Sequence, residues 1–296
     1  MSIASRLTEV FQAAGEIPFD DRARIVFFSD CHRGDNTWAD DFARNQALFY
    51  FALDHYNQEG FTYIELGDGD ELFENWDFRV IRAAHSQVFE LMRQFHLDQR
   101  LILIYGNHDK ARRDPRLVAD TLYRYFDEPS QTWQPLFEGI QVQEGLRLRH
   151  TPTGGQFFLA HGHQGELFND TLWWLGKLMG RFVWRPLQLI GVQDPISPAV
   201  NYKNRIDAEK QIAAWIQANR QAMIFGHTHR PSFPQPGEIP YFNDGSCIEP
   251  RCITGIEIDR GDIQLVEWAV EPDDQGYLQV RRKVLEGPRR VASIFQ

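Results

Sequence analysis

Short apolar runs alternate with amphipathic stretches along the first half of the chain. Arg24–Phe28, Tyr63–Leu66 and Leu101–Tyr105 are compact β-rich runs, and each is closed by polar or glycine residues. Between them, residues 38–59 and 77–97 carry apolar side chains at steps of three, four and seven, which is typical of one helix face. Strands and helices in this order predict parallel βαβ units.

The second half of the chain is richer in strand-like runs. Leu146–Arg149 and Gln156–Ala160 flank a Thr-Pro-Thr-Gly-Gly turn, which predicts a hairpin. Four further β-rich runs follow at Ala222–Phe225, Ile239–Phe242, Cys252–Ile258 and Ile263–Val270. The simplest assembly is an α/β fold of two packed sheets flanked by helices.

We expect one domain over residues 1–296, with its core at about 22–270. A mostly helical insertion is predicted at about 164–220, where the β-rich pattern is interrupted. The polar stretch at about 271–296 carries five cations between residues 281 and 290. We expect this stretch to be a solvated basic tail.

Composition and charge limit the classes of function. The 296 residues include 31 Lys and Arg against 41 Asp and Glu, which is a formal net charge of −10. This acidic balance disfavours a protein that coats nucleic acid through a diffuse positive field. The three cysteines do not suggest a disulfide framework, and the N-terminal residues lack a signal-peptide pattern. We therefore expect a cytoplasmic protein.

Polar clusters follow five of the predicted strands. They are Asp30-Cys31-His32, Gly67-Asp68, Gly106-Asn107-His108-Asp109, His161-Gly162-His163 and Gly226-His227-Thr228-His229. Six of the ten histidines lie in these clusters. Because the carboxyl ends of parallel strands line one crevice, we expect the clusters to converge. Imidazoles, carboxylates and an amide oxygen form a ligand set that suits Mn²⁺, Zn²⁺, Fe or Ni²⁺.

In this order the clusters resemble the signature of calcineurin-like metallophosphoesterases. The matching blocks are Asp-x-His, Gly-Asp-x-x-Glu, Gly-Asn-His-Asp, His-x-His and Gly-His-x-His, and the resemblance covers about residues 24–270. It implies a four-layer αββα sandwich with a helical lid insertion. It also implies hydrolysis of a phosphoester or pyrophosphate by metal-bound hydroxide, with two divalent ions. Mn²⁺ is the favoured ion, and Fe, Zn²⁺ and Ni²⁺ are alternatives.

The resemblance further implies that seven residues bind these ions. Asp30, His32 and His229 would hold the first metal, Asn107, His161 and His227 the second, and Asp68 would bridge both. Two alternatives stay open, namely Asp70 in place of Asp68 and His163 in place of His161. Position directly after the strand favours Asp68, and the order of the family signature favours His161.

Other residues are implied to act on the substrate. His108 would contact the scissile phosphate and the leaving-group oxygen, and the neighbouring Asp109 would orient it. Arg33 directly follows the first ligands and is a candidate phosphate contact. His163 is expected near the rim of the site as a further candidate for substrate binding.

The insertion carries a basic, amphipathic segment at residues 172–190. Lys177, Arg181 and Arg185 recur at steps of four beside a Trp-rich apolar stretch, and the first two are candidate substrate contacts. Such a segment suits a lid over the site or a peripheral contact with an anionic membrane. Plain packing on the core and a dimer interface are the alternatives.

The layout is similar to UDP-2,3-diacylglucosamine pyrophosphatases, which implies a phosphorylated small-molecule substrate such as a nucleotide- or lipid-linked diphosphate. The main group of those enzymes has Arg where this chain has His108, while a second group keeps His. The alternatives are a general phosphodiesterase or phosphomonoesterase acting on nucleotides and a Ser/Thr-phosphatase-like enzyme. A non-catalytic scaffold is a remote alternative, because a scaffold needs no complete ligand set.

Overall fold

The computed structural model describes residues 2–166, Asp170 and residues 202–295. Its helices are α1 (Ile3–Ala13), α2 (Gln46–Gln58), α3 (Phe78–Ala84), α4 (Ser86–Leu97), α5 (Pro115–Leu122) and α6 (Tyr202–Asn219). Short 3-10 turns lie at Asp41–Arg44, Lys110–Arg113 and Val291–Ile294. In the described ranges, no helix combines the length and the apolar character needed to cross a bilayer.

The described strands form two large sheets and one small hairpin. They are β1 (Gly15–Phe19), β2 (Arg24–Phe28), β3 (Thr62–Leu66), β4 (Leu101–Ile104), β5 (Arg124–Asp127), β6 (Thr132–Pro135), β7 (Val142–Gln143), β8 (Gly145–His150), β9 (Gln156–Ala160), β10 (Ala222–Phe225), β11 (Tyr241–Asn243), β12 (Cys252–Asp259), β13 (Asp262–Pro272) and β14 (Leu278–Arg290). One sheet has the order β14-β13-β12-β2-β3-β4-β7, and the other has the order β1-β8-β9-β10-β11. β5 and β6 pair only with each other.

The predicted βαβ units and the predicted hairpin are confirmed. β2, β3 and β4 pair in parallel, with Ile25 opposite Thr62 and Tyr63 opposite Leu101. β8 and β9 pair antiparallel around the predicted turn. The three parallel strands are almost wholly buried, and their apolar runs are continuous because both faces of the sheet are covered.

Neighbouring aromatic residues show how the four layers pack. On β2, Phe28 joins the apolar cluster beneath α2 and α4, while Phe27 joins the cluster between the two sheets. On β9, Phe157 faces this central cluster and Phe158 faces α1 and α6. Successive strand residues point to opposite faces, so each pair marks the two sides of its sheet. The predicted αββα order is therefore confirmed.

The helix predicted over residues 77–97 is interrupted by a buried histidine. Residues 77–97 form two helices that break at His85, whose ring lies 2.8 Å from Asp40 and 3.1 Å from Gln46. Asp40 also caps the 3-10 turn that precedes α2. Because the His85 side chain is held by these partners, its backbone leaves the helical conformation and α4 starts anew.

Two segments of the second half of the chain differ from the expectation, namely the C-terminal stretch and part of the predicted insertion. Residues 278–290 were expected in a solvated tail, but they form β14, which pairs with β13 at the sheet edge and stays mostly exposed. Helix α6 falls inside the predicted insertion at 164–220. It buries Ile212 and Trp215 against α1, so this part belongs to the outer helical layer.

In the first half of the chain, strand β1 was not predicted, because Pro18 and polar neighbours obscure its hydrophobic pattern.

The ion pair between β14 and β12 provides a test of this strand. Arg282 Nε donates to Glu257 at 2.8 Å, and Glu257 is buried and also accepts from Tyr56. We expect Arg282→Ala to lower the free energy of unfolding by about 2 kcal/mol, because a buried carboxylate loses its cation. Urea denaturation measures the change. Arg281→Ala, on an exposed neighbour, is the control, and equal small effects of both variants would indicate a solvated tail instead.

Candidate metal centre

The predicted clusters meet at the carboxyl ends of β2, β3, β4, β9 and β10. Five residues there have positive φ angles between 48° and 67°, namely Asp30, His32, Asp68, His227 and His229. Residues other than glycine rarely adopt this left-handed conformation, which costs about 1–3 kcal/mol each. The chain therefore turns sharply after β2, β3 and β10, at the residues that carry five of the candidate metal ligands.

Asp30 and Asp68 each use one carboxylate oxygen to hold a neighbouring loop. Asp30 Oδ2 accepts from the backbone N–H of His227 at 2.8 Å, and Asp68 Oδ1 accepts from that of His108 at 2.8 Å. In addition, the N–H of His32 donates to the Asp68 carbonyl at 2.9 Å. These bonds fix the loops relative to one another and leave the second oxygen of each carboxylate for another partner.

The second oxygens face several imidazoles. Asp30 Oδ1 lies 3.0 Å from His229 Nε2, 3.7 Å from His32 Nε2 and 3.9 Å from His161 Nε2. Asp68 Oδ2 lies 3.0 Å from His161 Nε2 and 3.9 Å from His32 Nε2. Each carboxylate is therefore close to rings from both predicted metal positions.

The donor atoms form two adjacent groups of three. The first is Asp30, His32 and His229, the second is Asp68, His161 and His227, and within each group the atoms lie within 4.8 Å of one another. A further group of His32, Glu71 and His108 overlaps the first. The first two groups correspond to the residues that the resemblance assigned to two metals.

Some buried polar atoms in and beside these groups form no hydrogen bond in the described part of the structure. Asn107 Oδ1 is buried and has no hydrogen-bond partner among the residues that the structure describes, while Asp30 Oδ1, His32 Nε2 and His161 Nε2 are buried and have only the charge contacts given above. Leaving such an atom unpaired costs about 1–3 kcal/mol. His161 Nδ1 donates to the Leu66 carbonyl at 2.8 Å, which turns the Nε2 lone pair toward the cluster. This donor set fits divalent cations.

The charges of the site favour a cation in the same place. Burial opposes protonation of His161, but the carboxylates of Asp68 and Asp30 outweigh it and raise the pKa of His161 to about 10. Burial likewise opposes ionisation of Asp68, but His161 and His108 hold the pKa of Asp68 well below its usual range. Two buried carboxylates thus create a field that attracts positive charge.

Glu71, not Asp109, contacts His108. Glu71 Oε2 lies 2.5 Å from His108 Nδ1 and 3.1 Å from His32 Nδ1. The Asp109 carboxylate instead accepts from the backbone N–H of Gly106 at 2.6 Å and from that of Gly69 at 3.2 Å. The expected orienting role of Asp109 is therefore wrong, because its side chain turns back onto the loops. The signal for Glu71 was present in the spacing of Gly-Asp-x-x-Glu.

Arg33 is not placed to bind phosphate. Its side chain is fully buried, and its guanidinium bonds Glu65 at 2.7 and 2.9 Å and Asp70 at 2.7 Å. Asp70 also pairs with Arg112. The expectation for Arg33 is therefore wrong. The same contacts occupy the Asp70 carboxylate. Of the two candidate aspartates, Asp68 is therefore the one that lies beside His161 and His32.

His163 is buried instead of lying at the rim. Its ring centroid is 5.5 Å from that of His161 and 6.4 Å from that of His227, and it lies outside the donor groups. Burial, together with the charges of His161 and Lys110, lowers the pKa of His163 well below its usual range, so the ring is neutral. The candidate contacts Lys177 and Arg181, with the rest of residues 172–190, lie outside the described residues.

The described part of the chain is a two-sheet α/β sandwich whose histidines and aspartates gather at the strand ends, where they form candidate metal-binding groups. Residues 23–231 match the family described as calcineurin-like phosphoesterase, and the chain belongs to that family. The narrower resemblance to UDP-2,3-diacylglucosamine pyrophosphatases stays a prediction. Among curated proteins, none matches the chain.

Three solved structures are similar at low identity. Vps29 of Chaetomium thermophilum is 10% identical at a TM-score of 0.39, with 89% of this chain and 96% of that chain covered. A protein assigned as a 5'-nucleotidase from Staphylococcus aureus is 14% identical (TM-score 0.36; 89% and 54% covered). The sulfate thiohydrolase SoxB of Thermus thermophilus is 12% identical (TM-score 0.34; 91% and 57% covered). The chain thus spans about half of the latter two chains, and similarity this low carries no information on substrate.

Removal of one central carboxylate tests the metal centre. We expect Asp68→Asn to weaken Mn²⁺ binding by at least 10–100-fold, the loss that even an outer partner of a ligand produces, because a charged donor is removed. Isothermal titration calorimetry of the metal-free protein measures the affinity. Asp120→Asn, on the exposed side of α5, is the control. An unchanged affinity in Asp68→Asn would contradict the assignment.

Proposed function

We propose that the chain is a dinuclear metal-dependent phosphoesterase that hydrolyses a phosphoester or pyrophosphate bond. The observation that carries this proposal is the contact between the two donor groups. His32 Nε2 lies 3.9 Å from Asp68 Oδ2, and His161 Nε2 lies 3.9 Å from Asp30 Oδ1. When bound there, two divalent cations would polarise the phosphoryl oxygens and lower the pKa of a water for in-line attack.

The residues that would hold the cations divide between the two groups. Asp30, His32 and His229 would bind one, and Asp68, His161 and His227 the other. Asn107, whose neighbour His108 donates its backbone N–H to Asp68, would join the second group. Support for Asn107 comes from its unpartnered amide oxygen, which is buried among the described residues. Support for a shared Asp68 comes from its position between His161 and His32.

We infer that His108 would assist the leaving group. Its side chain is 22% exposed, in contrast to the buried donors, and its ring stacks on Phe73 with centroids 4.5 Å apart. Glu71 holds Nδ1, which orients the ring and stabilises the protonated form. A protonated imidazole beside the site serves as a general acid for the leaving oxygen.

The narrower substrate proposals rest on the sequence. We infer a nucleotide- or lipid-linked diphosphate from the resemblance to UDP-2,3-diacylglucosamine pyrophosphatases. Mn²⁺ is the favoured metal, with Fe, Zn²⁺ and Ni²⁺ as alternatives, because the ligand set suits all of them. A lid or membrane contact by residues 172–190 stays a prediction, as does a cytoplasmic location. A general phosphodiesterase or phosphomonoesterase is the alternative within the same class.

Metal-dependent turnover of simple esters tests the proposal. We expect Mn²⁺-loaded protein to hydrolyse bis(p-nitrophenyl) phosphate or p-nitrophenyl phosphate. Activity should be lost on chelation with EDTA and restored by added Mn²⁺, because the cations would polarise the phosphoryl oxygens and activate the attacking water. If none of Mn²⁺, Fe²⁺, Zn²⁺ and Ni²⁺ supports hydrolysis of either ester, the proposal fails and a scaffold is favoured.

The histidine at the mouth of the site provides a second test. We expect His108→Ala to lower kcat by about 10²–10⁴-fold, as loss of a general acid does, while Mn²⁺ affinity stays near that of the wild type. Glu71→Gln should give a smaller loss, because the ring remains but loses its orienting charge. Steady-state kinetics and calorimetry separate the two effects. His55→Ala, on an exposed position of α2, should change neither quantity, and an unchanged kcat in His108→Ala would exclude the assigned role.

A further inference from the structure

A carboxylate outside the five polar clusters lies against one of the candidate metal ligands. Glu166 Oε1 is 3.1 Å from His227 Nε2, within hydrogen-bond distance. Glu166 belongs to the first residues of the predicted insertion at about 164–220, whereas His227 follows β10 in the core of the fold. The insertion therefore contributes a charged side chain to the surroundings of the candidate metal centre.

Glu166 contacts His227 without joining its donor group. In that group the donor atoms of Asp68, His161 and His227 lie within 4.8 Å of one another, and Glu166, although it is a described residue, does not belong to it. An imidazole has two nitrogens, so one can bind a cation while the other donates a hydrogen bond to an outer carboxylate. The geometry therefore suits an outer partner of the ring and not a fourth donor.

The backbone of His227 is already fixed, but its ring needs a second contact to fix its direction. Its backbone N–H donates to Asp30 Oδ2 at 2.8 Å. In the same donor group, the ring of His161 is held by the Leu66 carbonyl, which accepts from Nδ1 at 2.8 Å. Glu166 holds the ring of His227 in the same manner, and a carboxylate is a stronger acceptor than a carbonyl.

The residues around Glu166 form a closed turn. The N–H of Glu166 donates to the His163 carbonyl at 3.2 Å, and the N–H of Asp170 donates to the Glu166 carbonyl at 3.0 Å. Asp170 Oδ2 in turn accepts from the N–H of Gly165 at 2.8 Å. These three bonds fix the backbone on both sides of Glu166.

Asp170 attaches this turn to two other parts of the fold. Lys110 Nζ donates to the Asp170 carbonyl at 2.9 Å and also pairs with its carboxylate, and Arg6 Nε lies 3.3 Å from Asp170 Oδ2. Lys110 is buried, so its charge would be left uncompensated if this pair were broken. At Gly165 a Cβ would lie 2.5 Å from Ile3 Cα, which shows that the turn lies directly against α1. The position of Glu166 is therefore set by the core and not by the turn alone.

We propose that Glu166 is a positioning residue for the second metal, because it accepts the Nε2 proton of His227 and so directs the other ring nitrogen toward the cation. This inference rests on the proposed dinuclear function and adds a residue of the insertion to it. An outer carboxylate of this kind fixes the tautomer and the orientation of the ring and makes the ligating nitrogen more basic. The first turn of the insertion thus takes part in metal binding.

Titration of the metal-free, full-length protein with Mn²⁺ tests the proposal. Calorimetry gives the number of ions bound, and electron paramagnetic resonance of free Mn²⁺ measures the weaker affinities. We expect the wild type to bind two ions and Glu166→Ala to weaken one of them by about 10–100-fold while the other is unchanged. Glu166→Gln should lose less, because its amide oxygen still accepts the proton of His227 and only the charge is removed.

A double-mutant cycle separates positioning from simple attraction of the cation. His227→Ala removes the ring through which Glu166 acts, so adding Glu166→Ala to it should cause no further loss of Mn²⁺ affinity. Glu138→Ala is the matched control, since it removes a glutamate from an exposed turn elsewhere and should change neither affinity. Circular dichroism of the metal-free variants checks the fold, and the partly exposed Glu166 side chain should be removable with little change in the unfolding midpoint.

Two results would overturn the positioning role and leave the dinuclear function standing. One is a Glu166→Ala variant that binds both ions as tightly as the wild type. The other is a further loss of affinity when Glu166→Ala is added to His227→Ala, because the carboxylate would then attract or bind the cation directly. A wild-type protein that binds fewer than two ions at saturating Mn²⁺ would instead overturn the dinuclear function, and the inference with it.

Discussion

The burial of two carboxylates close together dominates this structure. Asp30 and Asp68 are almost wholly inaccessible, and like charges in a low-dielectric interior repel strongly unless positive groups lie between them. Backbone N–H groups take one oxygen of each, and imidazoles surround the other. The inward histidines offset these two charges, and the same charges account for the affinity expected for cations.

A second buried ionic network holds together the loops that carry the candidate metal ligands. Arg33 joins Glu65 on β3 to Asp70 on the following loop, and Arg112 approaches Asp70 from the segment after β4. Close approach also depends on Gly226, since a Cβ there would lie 2.0 Å from Ser29 Oγ and 2.5 Å from Asp30 Oδ2. Donors held in this way need little rearrangement when a ligand binds, which favours both affinity and rate.

The sequence predicted the strands whose hydrophobic pattern is set by the burial of their own two faces. Strands covered on both faces appear as unbroken apolar runs, so β2, β3 and β4 were placed almost to the residue. β14 was missed because an exposed edge strand is as polar as a solvated tail. The break at His85 was missed for a different reason, since it depends on contacts with Asp40 and Gln46 from a distant part of the chain.

For the site, the sequence alone determined which residue types gather, because strand ends in such a sheet converge whatever the details of their loops. Only the tertiary structure decided which partners meet. Glu71 instead of Asp109 faces His108, and Arg33 is buried against Asp70 instead of facing the cleft. The physical reason is that the local hydrophobic pattern and the chain topology set the order of the strands. The direction of a side chain depends instead on the φ and ψ angles of its turn and on packing from other loops.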